Sequence, residues 1–214
     1  MSNELIVLVH GFFKNQDDML FLRTQLECAG LQTQSVSLPT TFGSLEDAVS
    51  SLHLQIGRRI LEGIEISFVA HSMGGLIVRR YIEKYGSNFV NSCIFIATPH
   101  GGTRLADIAN AIPGYSAVFK PISSLISHSS YASFVGPKTF KIGIIAGNKR
   151  VGFLGNVFLS SESDGRVEPS EAHAVDADDF IVVPFGHQDI HHQPETASHV
   201  LQFLVNGKFG SMEL

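Results

Sequence analysis

Short apolar runs alternate with amphipathic stretches along this chain. Six runs read as strands: Leu5–Val9, Thr33–Leu38, Ile64–Ala70, Val90–Ala97, Phe140–Ala146 and Phe180–Pro184. Several are apolar almost throughout, as strands covered on both faces are. The stretches between them show helical spacing. Asp17 and Asp18 open one helix, Met19, Leu22 and Leu26 form its apolar face, and Gly30 closes it. Ser44 caps a second, with Leu45, Ala48, Val49, Leu52, Ile56 and Ile60 on one stripe. A third runs from Met73 to Tyr85 and ends near Gly86. The last starts near Pro194 and Glu195, carries Val200, Leu201, Leu204 and Val205, and stops before Gly207. The alternation predicts an α/β protein with a small, mostly parallel six-stranded sheet flanked by helices.

Residues 103–139 break the rhythm. Ile108, Ile112, Val118, Phe119, Ile122, Leu125 and Ile126 are interleaved with Pro113, Pro121 and many serines. The segment is too apolar for a disordered linker and too irregular for another strand–helix unit. It is expected to fold over the sheet as a cap or lid inserted in a single domain spanning residues 1–214.

With 214 residues and 44% hydrophobic content, the chain can bury one large core. The net charge of −5 and the lack of a basic run argue against a nucleic-acid partner. No apolar stretch approaches the roughly 20 residues needed to span a bilayer. Met1-Ser2-Asn3-Glu4 lacks a basic n-region and Leu5–Val9 is too short for an export signal, so a cytoplasmic location is expected. Cys28 and Cys93 form no C-x-x-C pair and are expected to be buried free thiols.

Chemistry concentrates at Ala70-His71-Ser72-Met73-Gly74-Gly75, between the third strand and the third helix. A serine flanked by small residues at −2 and +2 on such a turn is a nucleophile elbow, which lifts the hydroxyl clear of the sheet. Serine needs a base, and the base needs an orienting acid. In open α/β sheets such groups sit beyond the carboxyl ends of strands. Asp164, in Ser163-Asp164-Gly165-Arg166-Val167 after the fifth strand, suits the acid. His187, in Pro184-Phe185-Gly186-His187 after the sixth, suits the base. Gly11, after the first strand, lets the chain turn so that the Phe12 amide faces the site. With the Met73 amide it would form a two-donor oxyanion hole. If the first strand lies between the second and third, both elements meet in one crevice.

Other residues compete for these roles. Asp176, Asp178 and Asp179 precede the last strand and look like a solvated run, while Asp189 lies only two residues past His187. His173, His191, His192 and His199 compete as base. His187, His191 and His192 could be taken for metal ligands, but no glutamate follows the first histidine and no cysteines cluster nearby, so no metal is expected. His10 and His71 read as structural, and His100 as a polar residue at the pocket rim. Phe13 is either pocket lining or plain packing.

The elbow, His10-Gly11-Phe12-Phe13, Thr98-Pro99-His100-Gly101-Gly102-Thr103 and Asp164-Gly165-Arg166-Val167 together resemble the lipase/esterase branch of the α/β-hydrolase superfamily. The resemblance runs from Leu5 to about Leu204, outside the insertion. It implies hydrolysis of a small-molecule or lipid ester through an acyl-serine intermediate, without metal or organic cofactor. Ser72 would be nucleophile, Asp164 acid and His187 base. Two features depart from the pattern. The chain begins at what is usually the third strand, and Ala70 stands where glycine is usual. The rivals are an acyltransferase, thioesterase or amidase on the same residues, and a hydrolase-shaped binding protein without catalysis.

Overall fold

A computed structural model of the chain describes residues 3–102, 134, 138–150 and 163–210. Six strands form one sheet in the order β2-β1-β3-β4-β5-β6. They are β1 (Glu4–Val9), β2 (Thr33–Val36), β3 (Glu65–His71), β4 (Val90–Ile96), β5 (Lys141–Gly147) and β6 (Asp179–Val183). Every pairing is parallel, so all six carboxyl ends open on one edge. The first strand does lie between the second and third, and the winding reverses at β1 and β3. That reversal creates the crevice in which sheets of this kind place their sites.

The alternation along each strand divides the core in two. Leu5, Val7 and Val9 of β1 join Ile66, Phe68 and Ala70 of β3 on one face. The helices α2 (Leu45–Leu61) and α3 (Met73–Tyr85) cover it with Val49, Leu52, Ile56, Ile77 and Tyr81. Ile6, Leu8 and Val69 point the other way, against Leu22 and Leu26 of α1 (Leu20–Cys28) and Val200 and Phe203 of α5 (Pro194–Asn206). A four-residue helix, α4 (Pro169–Ala172), packs beside β5. A reciprocal pair starts α2: Ser44 Oγ accepts from the Asp47 amide, and the Asp47 carboxylate accepts from the Ser44 amide. Such caps contribute about 1 kcal/mol.

Several expectations need correction. The second strand stops at Val36 because the next amides leave the ladder: Ser37 N–H donates to Gln55 Oε1 and Leu38 N–H to His10 Nε2. Both cysteines are free, but only Cys93 is buried; Cys28 lies off the Met19–Leu22–Leu26 stripe and is exposed. On α5 the inward positions are Val200 and Phe203, and Val205 faces solvent. The proposed cap or lid at 103–139 lies outside the described residues except for Phe134, Lys138 and Thr139. No helix among the described residues is long and apolar enough to cross a membrane.

Candidate active site

Ser72 sits between the last residue of β3 and the first of α3, with φ 55° and ψ −129°. A non-glycine residue held there costs on the order of 1–3 kcal/mol, so the surroundings must fix it. They do so by close approach. A Cβ on Gly74 would come within 2.6 Å of Val9 O and 2.7 Å of His10 O. One on Gly75 would collide with Thr98 Oγ1, and one on Gly11 would come within 2.9 Å of Ser72 Cβ. The loop after β1 therefore lies directly against the serine. Ser72 N–H donates to Ile96 O at 2.8 Å, and Thr98 Oγ1 donates to Ser72 O at 3.0 Å. At −2, Ala70 is fully buried in register with Val9 and Phe95.

Ser72 is partly exposed, whereas Asp164 and His187 are buried at 1% and 5%. His187 Nδ1 lies 2.7 Å from Asp164 Oδ2, and His187 Nε2 lies 2.9 Å from Ser72 Oγ. Nδ1 faces a carboxylate and so carries the proton. Nε2 then presents a lone pair to the serine hydroxyl. The other carboxylate oxygen, Asp164 Oδ1, accepts from the amides of Arg166 at 2.9 Å and Val167 at 2.8 Å. That turn fixes the carboxylate plane. Asp164 also takes the His187 N–H on its main-chain carbonyl at 2.9 Å. Gly147 permits this approach, since a Cβ there would come within 2.9 Å of Asp164 Cβ.

The competing acids are engaged elsewhere. Asp176 pairs with both terminal nitrogens of the buried Arg79, each at 2.9 Å. Asp178 accepts from the Ile142 amide and Lys141, and Asp179 from the Phe209 amide. The expected solvated run is therefore a set of strand and helix ties. Asp189 is exposed. Among the competing histidines, His173 is exposed beside Phe180, and His199 lies 3.9 Å from Glu195.

His100 is fully buried rather than at the rim, and its Nδ1 accepts from Arg79 Nε at 2.9 Å. Burial, and the positive charge of Arg79, hold His100 well below the ordinary histidine value. His10 accepts from the Leu38 amide and donates to Gly11 O, tying the loop after β1 to the segment that follows β2. His191 is buried. Its Nε2 donates to Asp18 Oδ2 at 3.0 Å, while Lys14 Nζ holds Asp18 Oδ1 at 2.8 Å. Asp18, His191 and His192 bring ligand atoms within 4.8 Å of one another. Both Asp18 oxygens accept hydrogen bonds here, one from Lys14 and one from the His191 imidazole.

Residues 1–129 match the family described as "Putative serine esterase (DUF676)". The chain belongs to this serine-esterase family. No curated protein matches it in sequence. Among solved structures it is similar to the mature form of lipase BlEst2 from Bacillus licheniformis. That match has a TM-score of 0.78 at 22% identity, over 94% of this chain and 90% of that one. The propeptide form of the lipase matches with a TM-score of 0.83 at 21% identity, over 98% of this chain but only 52% of that one. The metagenomic carboxyl esterase MGS0156 matches with a TM-score of 0.71 at 16% identity, over 87% and 65% of the two chains. The serine-esterase family member described here thus has the α/β-hydrolase fold.

Proposed function

We propose that this protein hydrolyses carboxylic esters through an acyl-serine intermediate. The observation that supports it is the pair of hydrogen bonds His187 makes, one to Ser72 Oγ and one to Asp164. Membership of the serine-esterase family points the same way.

His187 Nε2 takes the Ser72 proton as Oγ attacks the ester carbonyl. Asp164 holds the imidazole and balances the imidazolium that forms. The amides of Phe12 and Met73 receive the tetrahedral oxyanion, each contributing about 3 kcal/mol to the transition state. His187 then returns the proton to the departing alkoxide, which leaves as alcohol. A water molecule then gives a proton to the same nitrogen and attacks the acyl-serine, and as the acid leaves His187 returns that proton to Ser72 Oγ. These three side chains and two amides account for every proton and charge in the cycle. The substrate is a small-molecule or lipid ester, in line with the lipase and carboxyl esterase that share the fold.

Turnover of a soluble acyl ester tests this. Ser72→Ala is expected to lower kcat by about 10³-fold or more, and a fluorophosphonate probe should label the wild type but not the variant. Near-normal turnover in Ser72→Ala would overturn the assignment. Competing alcohols, thioesters and amides in the same assay separate hydrolysis from acyl transfer, thioesterase and amidase activity. A rise in rate above the substrate's solubility limit would mark a lipid ester as the substrate.

A further inference from the structure

We propose that His71, the residue before the nucleophile, is a positioning residue that sets where the His187 imidazole stands over Ser72. The proposal rests on the ester-hydrolase function above. His187 lies in an irregular segment between β6 and the short 3₁₀ turn Ile190–His192, so no ladder or helix fixes its backbone. Two hydrogen bonds do. Its N–H donates to Asp164 O at 2.9 Å, and its carbonyl accepts from His71 Nε2 at 3.0 Å. The first ties the base to the acid. The second ties it to the nucleophile's own strand, one residue from Ser72.

The His71 ring has little freedom to do anything else. It is 2% exposed and stacks on His191, with ring centroids 3.8 Å apart and planes at 23°. His191 is itself held by Asp18, which Lys14 anchors. A carbonyl can only accept, so His71 Nε2 must carry the proton and Nδ1 a lone pair. Nδ1 has no hydrogen-bond partner and lies 3.8 Å from Asp18 Oδ2.

The groups facing this ring are Asp18, Lys14, His191 and His187. Burial first, then His191, His187 and Lys14, keep His71 neutral far below the ordinary histidine range. Neutrality suits the role. The His71 and His187 rings are 5.1 Å apart, and a cation at His71 would oppose the imidazolium that catalysis forms at His187. A neutral donor holds the backbone without that opposition.

Three substitutions separate donation from packing. A glutamine amide reaches the place of Nε2, an asparagine amide reaches only that of Nδ1, and phenylalanine keeps a stacked ring with no donor. His71→Asn and His71→Phe are expected to lower kcat about 10-fold or more with KM within about twofold. His71→Gln is expected to keep kcat within about threefold of wild type, because it restores the donor. Equal losses in Asn and Gln, or a phenylalanine variant more active than the glutamine one, would overturn the proposal. If the phenylalanine variant does not fold, the two amides still decide.

A second readout needs no turnover. The His187 Nδ1 proton shared with Asp164 should give a low-field proton resonance in the resting protein, to be assigned by its loss in His187→Ala. It should move in His71→Asn and stay in His71→Gln; an unmoved resonance in the asparagine variant would overturn the proposal. Wild-type turnover that does not depend on Ser72 would instead sink the proposed function, whatever the resonance shows.

Discussion

Replacing Gly74 by alanine puts one methyl group between α3 and the carboxyl end of β1. The new Cβ would stand 2.6 Å from Val9 O and 2.7 Å from His10 O. Both neighbours are backbone, and neither can swing aside as a side chain would. An ordinary contact starts at 3.4 Å, so the start of α3 and the loop after β1 must part by about 0.8 Å, the difference between 3.4 and 2.6 Å. Overpacking of this kind costs roughly 1–3 kcal/mol, and the gain in helix propensity returns at most about 1. A net loss of about 1–2 kcal/mol should lower Tm by roughly 2–8 °C in a chain of this size. Activity should fall further than stability suggests. The displacement acts between Ser72 and the loop that carries Phe12, and a shift near 1 Å costs about 100-fold in rate. Thermal unfolding and kcat/KM on a soluble ester, measured on the same preparation, check both numbers. A Gly74→Ala protein with Tm within 1 °C and activity within threefold would show that close approach is not why this position is glycine (thresholds of roughly 0.5 kcal/mol).

Other outcomes follow from the charges and thiols. Arg79→Met should destabilise by about 3–5 kcal/mol, because it strands the part-buried Asp176. Arg80→Met, which breaks exposed pairs to Glu46 and Glu83, should cost only about 0–1 kcal/mol; urea unfolding that finds the two variants equal would refute the contrast. Burial holds His71 and His100 below the ordinary 6.5, so their share of stability is complete above that pH and is lost as pH falls. Asp18 and Asp176 add a second decline below about 4. Burial opposes the lowering of their values, but His191 and Lys14, and Arg79, outweigh it. Urea midpoints between pH 7 and 3 should therefore fall in two stages, and a flat profile would contradict this. Cys93 is fully buried with its thiol pushed up by burial, while Cys28 is exposed. An aromatic disulfide reagent should modify Cys28 alone in the native protein and both thiols in urea; rapid native reaction at Cys93 would refute the packing.

Much of the fold was legible because a parallel sheet buried on both faces leaves an unmistakable trace. Runs such as Leu5–Val9 and Ile64–Ala70 have few polar positions to confuse the assignment. The elbow was legible for a local reason: the small residues around Ser72 answer to steric demands within one turn. Asp164 and His187 could be named because each follows a strand. Their meeting depends on topology: β5 and β6 are neighbours in the sheet, on the same side of β3 and its elbow.

The supporting polar network was hidden because its members are distant in sequence and look solvated one at a time. Asp18 opens a helix, His191 stands in a polar loop, and nothing local says that they share a hydrogen bond across 173 positions. Arg79 carried a signal that went unused. It stands among the buried residues of α3, and a charge on that face requires a partner. Which carboxylate supplies it, Asp176 rather than another of the run, depends on how β5 and β6 pair.

The helix α3 begins at Ser72, the proposed nucleophile. The peptide dipoles of Met73–Tyr85 add along its axis, and their positive end lies at Ser72. That field does little for a neutral ester, but it attracts the negative charge that appears as the carbonyl is attacked. In the proposed mechanism, three turns of ordinary helix would thereby lower the barrier without any of their own side chains entering the reaction.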